Sequence, residues 1–211
     1  MTRSISRRDV LRTCTALGAL TAAAPSPARA AGRLAQAAAG NVVRPTPASV
    51  LGPFYKRSSP KTSVLRLEGD PGLPLTVRGR VTDIRGGALA GTTIEVWHAD
   101  HAGHYDITGY RFRATLTAGA EGDYAFESVM PGHYPDRVAQ HVHYLVSAPG
   151  HRPLVTQLYF ATDQAFEGDP VTNFRRDPLI PGMDVVRPVV LAGAPGSVRA
   201  AVVFDLCLER L

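Results

Sequence analysis

From residue 75 to residue 208 the apolar side chains come in short runs, several alternating with polar positions, and turn-forming residues separate the runs. Leu75–Thr82, Thr92–Trp97, Tyr110–Leu116, Tyr124–Glu127, His141–Ser147, Leu154–Phe160 and Val198–Leu208 read as strands, because side chains two apart on an extended backbone face the same side. Asp83-Ile84-Arg85-Gly86-Gly87 and Ala120-Glu121-Gly122-Asp123 supply turns between them. After the first 30 residues no long segment carries a helical period and no unit repeats. The pattern predicts an all-β fold, an antiparallel β-sandwich with long loops and little helix. Ala161–Pro195, with its prolines and charges, is expected to run over the surface as a long excursion.

Composition narrows this to one globular domain. The 211 residues, 45% apolar with 20 glycines and 17 prolines, suffice for one core and are too few for two full-sized ones. Ser6-Arg7-Arg8-Asp9-Val10-Leu11 is a twin-arginine signature, followed by the apolar stretch Ala16–Ala24 and the cleavage signal Ala28-Arg29-Ala30. Residues 1–30 are therefore expected to be an export signal read by the twin-arginine machinery, delivering the protein to the periplasm or beyond. The apolar stretch is too short for a permanent membrane span. Residues 31–49, rich in Ala, Pro and Thr, read as an extended arm, leaving 50–211 as the folded domain. The first 30 residues hold five Arg and one Asp, so of 23 basic and 18 acidic residues the remainder keeps 18 and 17. The near-neutral remainder gives no support for nucleic-acid binding. Cys14 falls in the signal, and Cys207, in a strand-like apolar run, reads as a buried inert thiol.

All seven histidines fall between His98 and His151, and that window also contains Tyr105 and Tyr134. His141 and His143 share a strand face and can reach one metal, although an H-x-H pair alone equally fits an exposed face or a hydrogen-bonded core pair. The tyrosines follow glycine turns, in Gly103-His104-Tyr105 and Pro131-Gly132-His133-Tyr134-Pro135. Two phenolates with two imidazoles form a hard, mixed O/N donor set suited to ferric iron. A copper or zinc enzyme on the same histidines, and a non-catalytic sandwich module binding through its loops, are the rival readings. His98, His101, His104 and His133 are expected to form a solvated rim.

The chain resembles the intradiol ring-cleavage dioxygenases, the family of catechol and protocatechuate dioxygenases. The resemblance rests on Gly52-Pro53-Phe54-Tyr55, Ile94-Glu95-Val96-Trp97-His98-Ala99-Asp100 with Tyr105, Gly122-Asp123-Tyr124-Ala125-Phe126, Pro131-Gly132-x-Tyr134-Pro135, His141-Val142-His143, Thr156-Gln157-Leu158-Tyr159-Phe160 and Gly168-Asp169-Pro170, in family order. It implies one Fe(III) per chain, with Tyr105 and His143 as equatorial ligands and Tyr134 and His141 as axial ones. It further implies that a catechol-type diol displaces Tyr134, which then serves as a base. The resemblance implies, finally, that dioxygen cleaves the ring between the hydroxyls to a cis,cis-muconate-type dicarboxylate. The family's R-x-x-H-x-H arginine corresponds to Arg137, which stands one residue further from the histidines here. Gln157 matches a pocket residue, and Tyr55 and Tyr159 are pocket candidates. The preferred catechol and the oligomeric state are not assigned.

Overall fold

The computed structural model describes residues 43–134, 137, 139–163 and 177–211. The expected signal, most of the arm and Gly168-Asp169-Pro170 lie outside these residues. Ten strands follow in order: β1 (Pro74–Asp83), β2 (Thr93–Trp97), β3 (Arg113–Thr117), β4 (Asp123–Val129), β5 (His141–Ser147), β6 (Leu154–Phe160), β7 (Val186–Arg187), β8 (Val190–Ala192), β9 (Arg199–Val203) and β10 (Leu206–Leu208). One 3-10 turn, Met183–Val185, is the only helical element among the described residues, and no helix of theirs is long and apolar enough to cross a membrane.

The strands form two five-stranded sheets. In the first, β1 pairs antiparallel with β4 and parallel with β9 and β10 in succession, and β8 closes the edge beyond β9. The second runs β3-β2-β5-β6-β7. The β-sandwich class is as expected, but the pairing is mixed rather than purely antiparallel: β9 and β10 against β1, and β7 against β6, are parallel. Apolar alternation marks strands without saying which neighbour each will find.

Tyr144 of β5 touches Tyr124 and Phe126 of β4 and Phe204 beyond β9, so the inner faces of the two sheets meet around it. Leu75, Val77, Ile94, Val96, Val142, Val146, Leu158 and Val202, each at most 2% exposed, fill the rest of this interface. Burying each such side chain stabilises the fold by roughly 1.5–3 kcal/mol before entropy is counted.

Three departures from the expected strands have local causes. Tyr110–Leu116 becomes extended only at Arg113, because Phe112 takes a left-handed φ of 53°. Val198–Leu208 is interrupted where the Asp205 carboxylate, not a backbone carbonyl, accepts the Arg80 N–H at 2.9 Å. The supposed surface excursion Ala161–Pro195 contributes β7, β8 and the buried Ile180 and Val185.

Candidate metal and active site

The candidate residues lie on the face of the second sheet that points away from the core. Strand register places Trp97 opposite both Arg113 and His143, His143 opposite Gln157, and His141 opposite Tyr159. The result is a row Arg113–Trp97–His143–Gln157 with His141 and Tyr159 beside it. None of the six is more than 3% exposed. The H-x-H pair is therefore not a solvated strand face. Its cover comes from loops that carry Phe54, Tyr55, Tyr105, Tyr134 and Arg137.

Two of these loops are built to meet. Asp100 organises the first: its carboxylate accepts the Ala102 and His104 N–H groups, each at 2.9 Å, and its carbonyl accepts Gly132 N–H of the second loop at 2.7 Å. Gly103, at a φ of +88°, lies against the His133 carbonyl with no room for a Cβ. Beyond Tyr105 the Asp106 carboxylate accepts the Thr108, Gly109 and Arg111 N–H groups, which holds it down to about 2. Backbone packing thus brings Tyr105 and Tyr134 together, with ring centroids 5.6 Å apart.

Around that contact the four expected ligands converge. Tyr105 stands 6.2 Å from His143, Tyr134 5.6 Å from His141, and His141 4.8 Å from His143, ring to ring. The Tyr134 hydroxyl is 3.4 Å from His141 Nε2. His141 Nδ1–H donates to the Ala139 carbonyl at 2.8 Å, so the neutral ring keeps its lone pair on Nε2, facing Tyr134. Phe54 stacks on Tyr105 at 4.2 Å and Trp97 on His143 at 4.9 Å, fixing ring orientation from behind.

Burial sets the protonation of the quartet. It pushes His141 down to about 3, aided by the Arg137 charge, and His143 well below the usual imidazole range, so both present lone pairs. Tyr105 rises strongly through burial and its neighbour Tyr134. Tyr134 rises through burial against the opposing pull of Arg137. The protein alone keeps both phenols neutral, and a multivalent cation would favour the phenolates. The Tyr105 hydroxyl is buried without a hydrogen-bond partner among the described residues. An orphaned phenol, a second phenol and two neutral imidazoles suit a hard trivalent ion. No cluster of three His, Cys, Asp or Glu occurs among the described residues.

Arg137 reaches the site despite its extra residue of spacing. Its Nε donates to Asp177 and its Nη2 to Gln157 Oε1 at 2.9 Å and to the Tyr159 hydroxyl at 2.6 Å. Tyr159 is buried within this network, while Tyr55 lies 5.1 Å from the Trp97 ring and donates to Glu95. His98 departs from the expected solvated rim. It is 1% exposed, with Nδ1 on the Ala99 carbonyl and Nε2 on Ser128 Oγ, because it follows β2 into the core. His101, His104 and His133 are exposed, and His133 pairs with Asp163. The sequence alone does not mark Phe54, Trp97, Arg113 or Asp177 as site residues. Trp97 is nearest to being legible, since it shares a strand face with Thr93 and Glu95 while Ile94 and Val96 face the core.

The family model described as Dioxygenase matches residues 50–210. Catechol 1,2-dioxygenase 2 of Acinetobacter lwoffii is 34% identical over 163 residues, 65% of this chain and 59% of that protein. Hydroxyquinol 1,2-dioxygenase of Nocardioides simplex is 34% identical over 152 residues, 60% of this chain and 51% of that protein. The chain thus matches between half and three fifths of the length of these relatives. Among solved structures, the dioxygenase domain of a dioxygenase carbohydrate-binding fusion from Streptomyces sp. SirexAA-E is 33% identical with a TM-score of 0.69, covering 80% of this chain and 100% of that one. By a match that spans most of its length, the chain belongs to the intradiol ring-cleavage dioxygenase family.

Proposed function

We propose that this protein cleaves a catechol-type 1,2-diol between its hydroxyls, adding both atoms of O2 to give a cis,cis-muconate-type dicarboxylate, with one Fe(III) held by Tyr105, Tyr134, His141 and His143. The observation that carries the reading is the convergence of two phenols, one of them orphaned, on two buried neutral imidazoles. Bound there, the iron supplies a Lewis acid and an electron acceptor that make a coordinated diol reactive toward dioxygen.

The chain's residues divide the remaining work. Tyr134, whose rise in pKa is opposed by Arg137, is the phenol suited to exchange a proton with a substrate hydroxyl at its oxygen. Tyr105, the more strongly raised, stays fixed beneath Phe54. Arg137 places a guanidinium where negative charge develops on the ring, and Gln157 orients it. Phe54 and Trp97 wall the ligands and limit water. The twin-arginine signature further supports export of the folded protein.

A visible spectrum with iron analysis, before and after anaerobic addition of catechol, tests this. The expected result is a coloured protein with one iron per chain whose band moves to longer wavelength on catechol binding. A colourless protein that stays iron-free after reconstitution would overturn the reading.

A further inference from the structure

Asp177 is neither an expected ligand nor an expected pocket residue, yet it is 2% exposed and its carboxylate is turned inward. Its oxygens lie 3.1 and 2.9 Å from Arg137 Nε. The loop holds Asp177 in turn, through Leu179 N–H on Oδ1 at 3.2 Å and Ile180 N–H on its carbonyl at 3.1 Å. Beyond Arg137 the chain of contacts continues. Gln157 Oε1 receives both Arg137 Nη2 at 2.9 Å and the Tyr159 hydroxyl at 2.6 Å, which leaves Gln157 Nε2 against the Val50 carbonyl and 3.3 Å from His143 Nδ1.

Arg137 needs such an anchor. It sits outside any strand, joined to Tyr134 by a turn that its own N–H closes at 3.0 Å, so sheet register does not direct its long side chain. A buried guanidinium also requires a counter-charge. Among the described residues the only carboxylate in a salt bridge with it is Asp177, and both members are nearly sealed from solvent.

We propose that Asp177 is a positioning residue for ring cleavage, its carboxylate aiming Arg137 across Gln157 and Tyr159 toward the Tyr134–His141 pair. This rests on the intradiol reading above. Asp177 touches no substrate and acts only through Arg137, so its effect vanishes when Arg137 is gone.

The test is a double-mutant cycle on iron-loaded full-length protein with catechol: wild type, Asp177→Asn, Arg137→Met and the double variant, each measured for iron content, visible band, KM and kcat. Asp177→Asn is expected to keep its iron and colour and to lose about 10- to 100-fold in kcat with a smaller change in KM. Arg137→Met should lose at least as much, and the double variant no more than Arg137→Met alone. Should Asp177→Asn fail to accumulate, the charge-balanced double variant against Arg137→Met decides: equal kcat supports the proposal, and a further tenfold loss overturns it. An active wild type with an unaffected Asp177→Asn overturns the role of Asp177 alone. A wild type that neither holds iron nor turns over catechol overturns the functional reading and this proposal together.

Discussion

Replacing Gly103 by Ala should separate the two tyrosines. At a φ of +88° an L-residue meets the left-handed penalty of roughly 1–2 kcal/mol. A Cβ there would also run into the His133 carbonyl and press on Tyr134 N at 3.4 Å, and overpacking of this kind adds about 1–3 kcal/mol. Backbone cannot rotate away as a side-chain tip can. The strain, on the order of 2–5 kcal/mol in all, is relieved only by moving the Tyr134 loop outward from the Tyr105 loop. In a domain of this size that is a fall in apo-protein Tm of about 4–20 °C. If even about 1.4 kcal/mol of it is recovered by opening the loops, iron must spend that amount to close them, and affinity falls tenfold. Differential scanning calorimetry on the apo protein and competition for iron against a chelator read the two effects. Gly86, at a φ of +80° with nothing within 4 Å of a Cβ, provides the control: Gly86→Ala should show the backbone penalty alone and bind iron normally. A Gly103→Ala variant with wild-type Tm and wild-type iron affinity would refute the claim that this glycine contact sets the ligand spacing.

Burial holds His98 down to about 4, against 6.5 when exposed, so the folded state keeps it neutral where the unfolded state takes a proton. The associated stability is present above pH 6.5 and lost as pH falls toward 4, amounting to roughly 3 kcal/mol at about 1.4 kcal/mol per unit. Urea midpoints from pH 7.5 to 4.5 should therefore drop less steeply in His98→Asn than in wild type; parallel slopes would count against it. Tyr105→Phe removes the orphaned hydroxyl without disturbing the Phe54 stack, so the apo fold should melt near wild type while iron content and visible colour collapse. Replacing Arg7 and Arg8 together by Lys should leave the folded precursor in the cytoplasm, as cell fractionation would show; unimpaired export would remove the twin-arginine reading.

Much of the sheet framework was readable from period-two alternation. His141–Ser147 and Leu154–Phe160 coincide with β5 and β6, and the shared face of His141 and His143 follows from extended geometry alone. What remained hidden depends on pairing across long sequence distances. Nothing local announces that Trp97 will lie between Arg113 and His143, or that Gln157 will complete the row. The two-residue β7 and three-residue β8 are too short to carry a period and exist because an adjacent strand offers them hydrogen bonds. Arg137 illustrates the limit from the other side. Its spacing from the histidines departs from the family's, yet its guanidinium meets a carboxylate 40 positions along the chain.

The contrast between strands explains why this face, and not the other, gathers the candidate site. Strand β4 alternates cleanly, with Asp123, Ala125 and Glu127 exposed between Tyr124 and Phe126, as befits a sheet with one wet side. Strands β5 and β6 do not alternate in burial, because His141, His143, Gln157 and Tyr159 are as hidden as the core residues between them. Polar side chains covered on the side opposite a core must find partners there or remain costly. Arg137, Gln157 and Tyr159 satisfy one another. Of the five buried side-chain atoms without a partner among the described residues, Tyr105 Oη, Trp97 Nε1 and Arg113 Nε belong to this covered side, and Tyr144 Oη and His151 Nε2 lie elsewhere. A fold that buries histidines and phenols together and still leaves a phenol oxygen unmatched has sacrificed stability at one place, and ligation of a cation by that oxygen would be the compensation its chemistry permits.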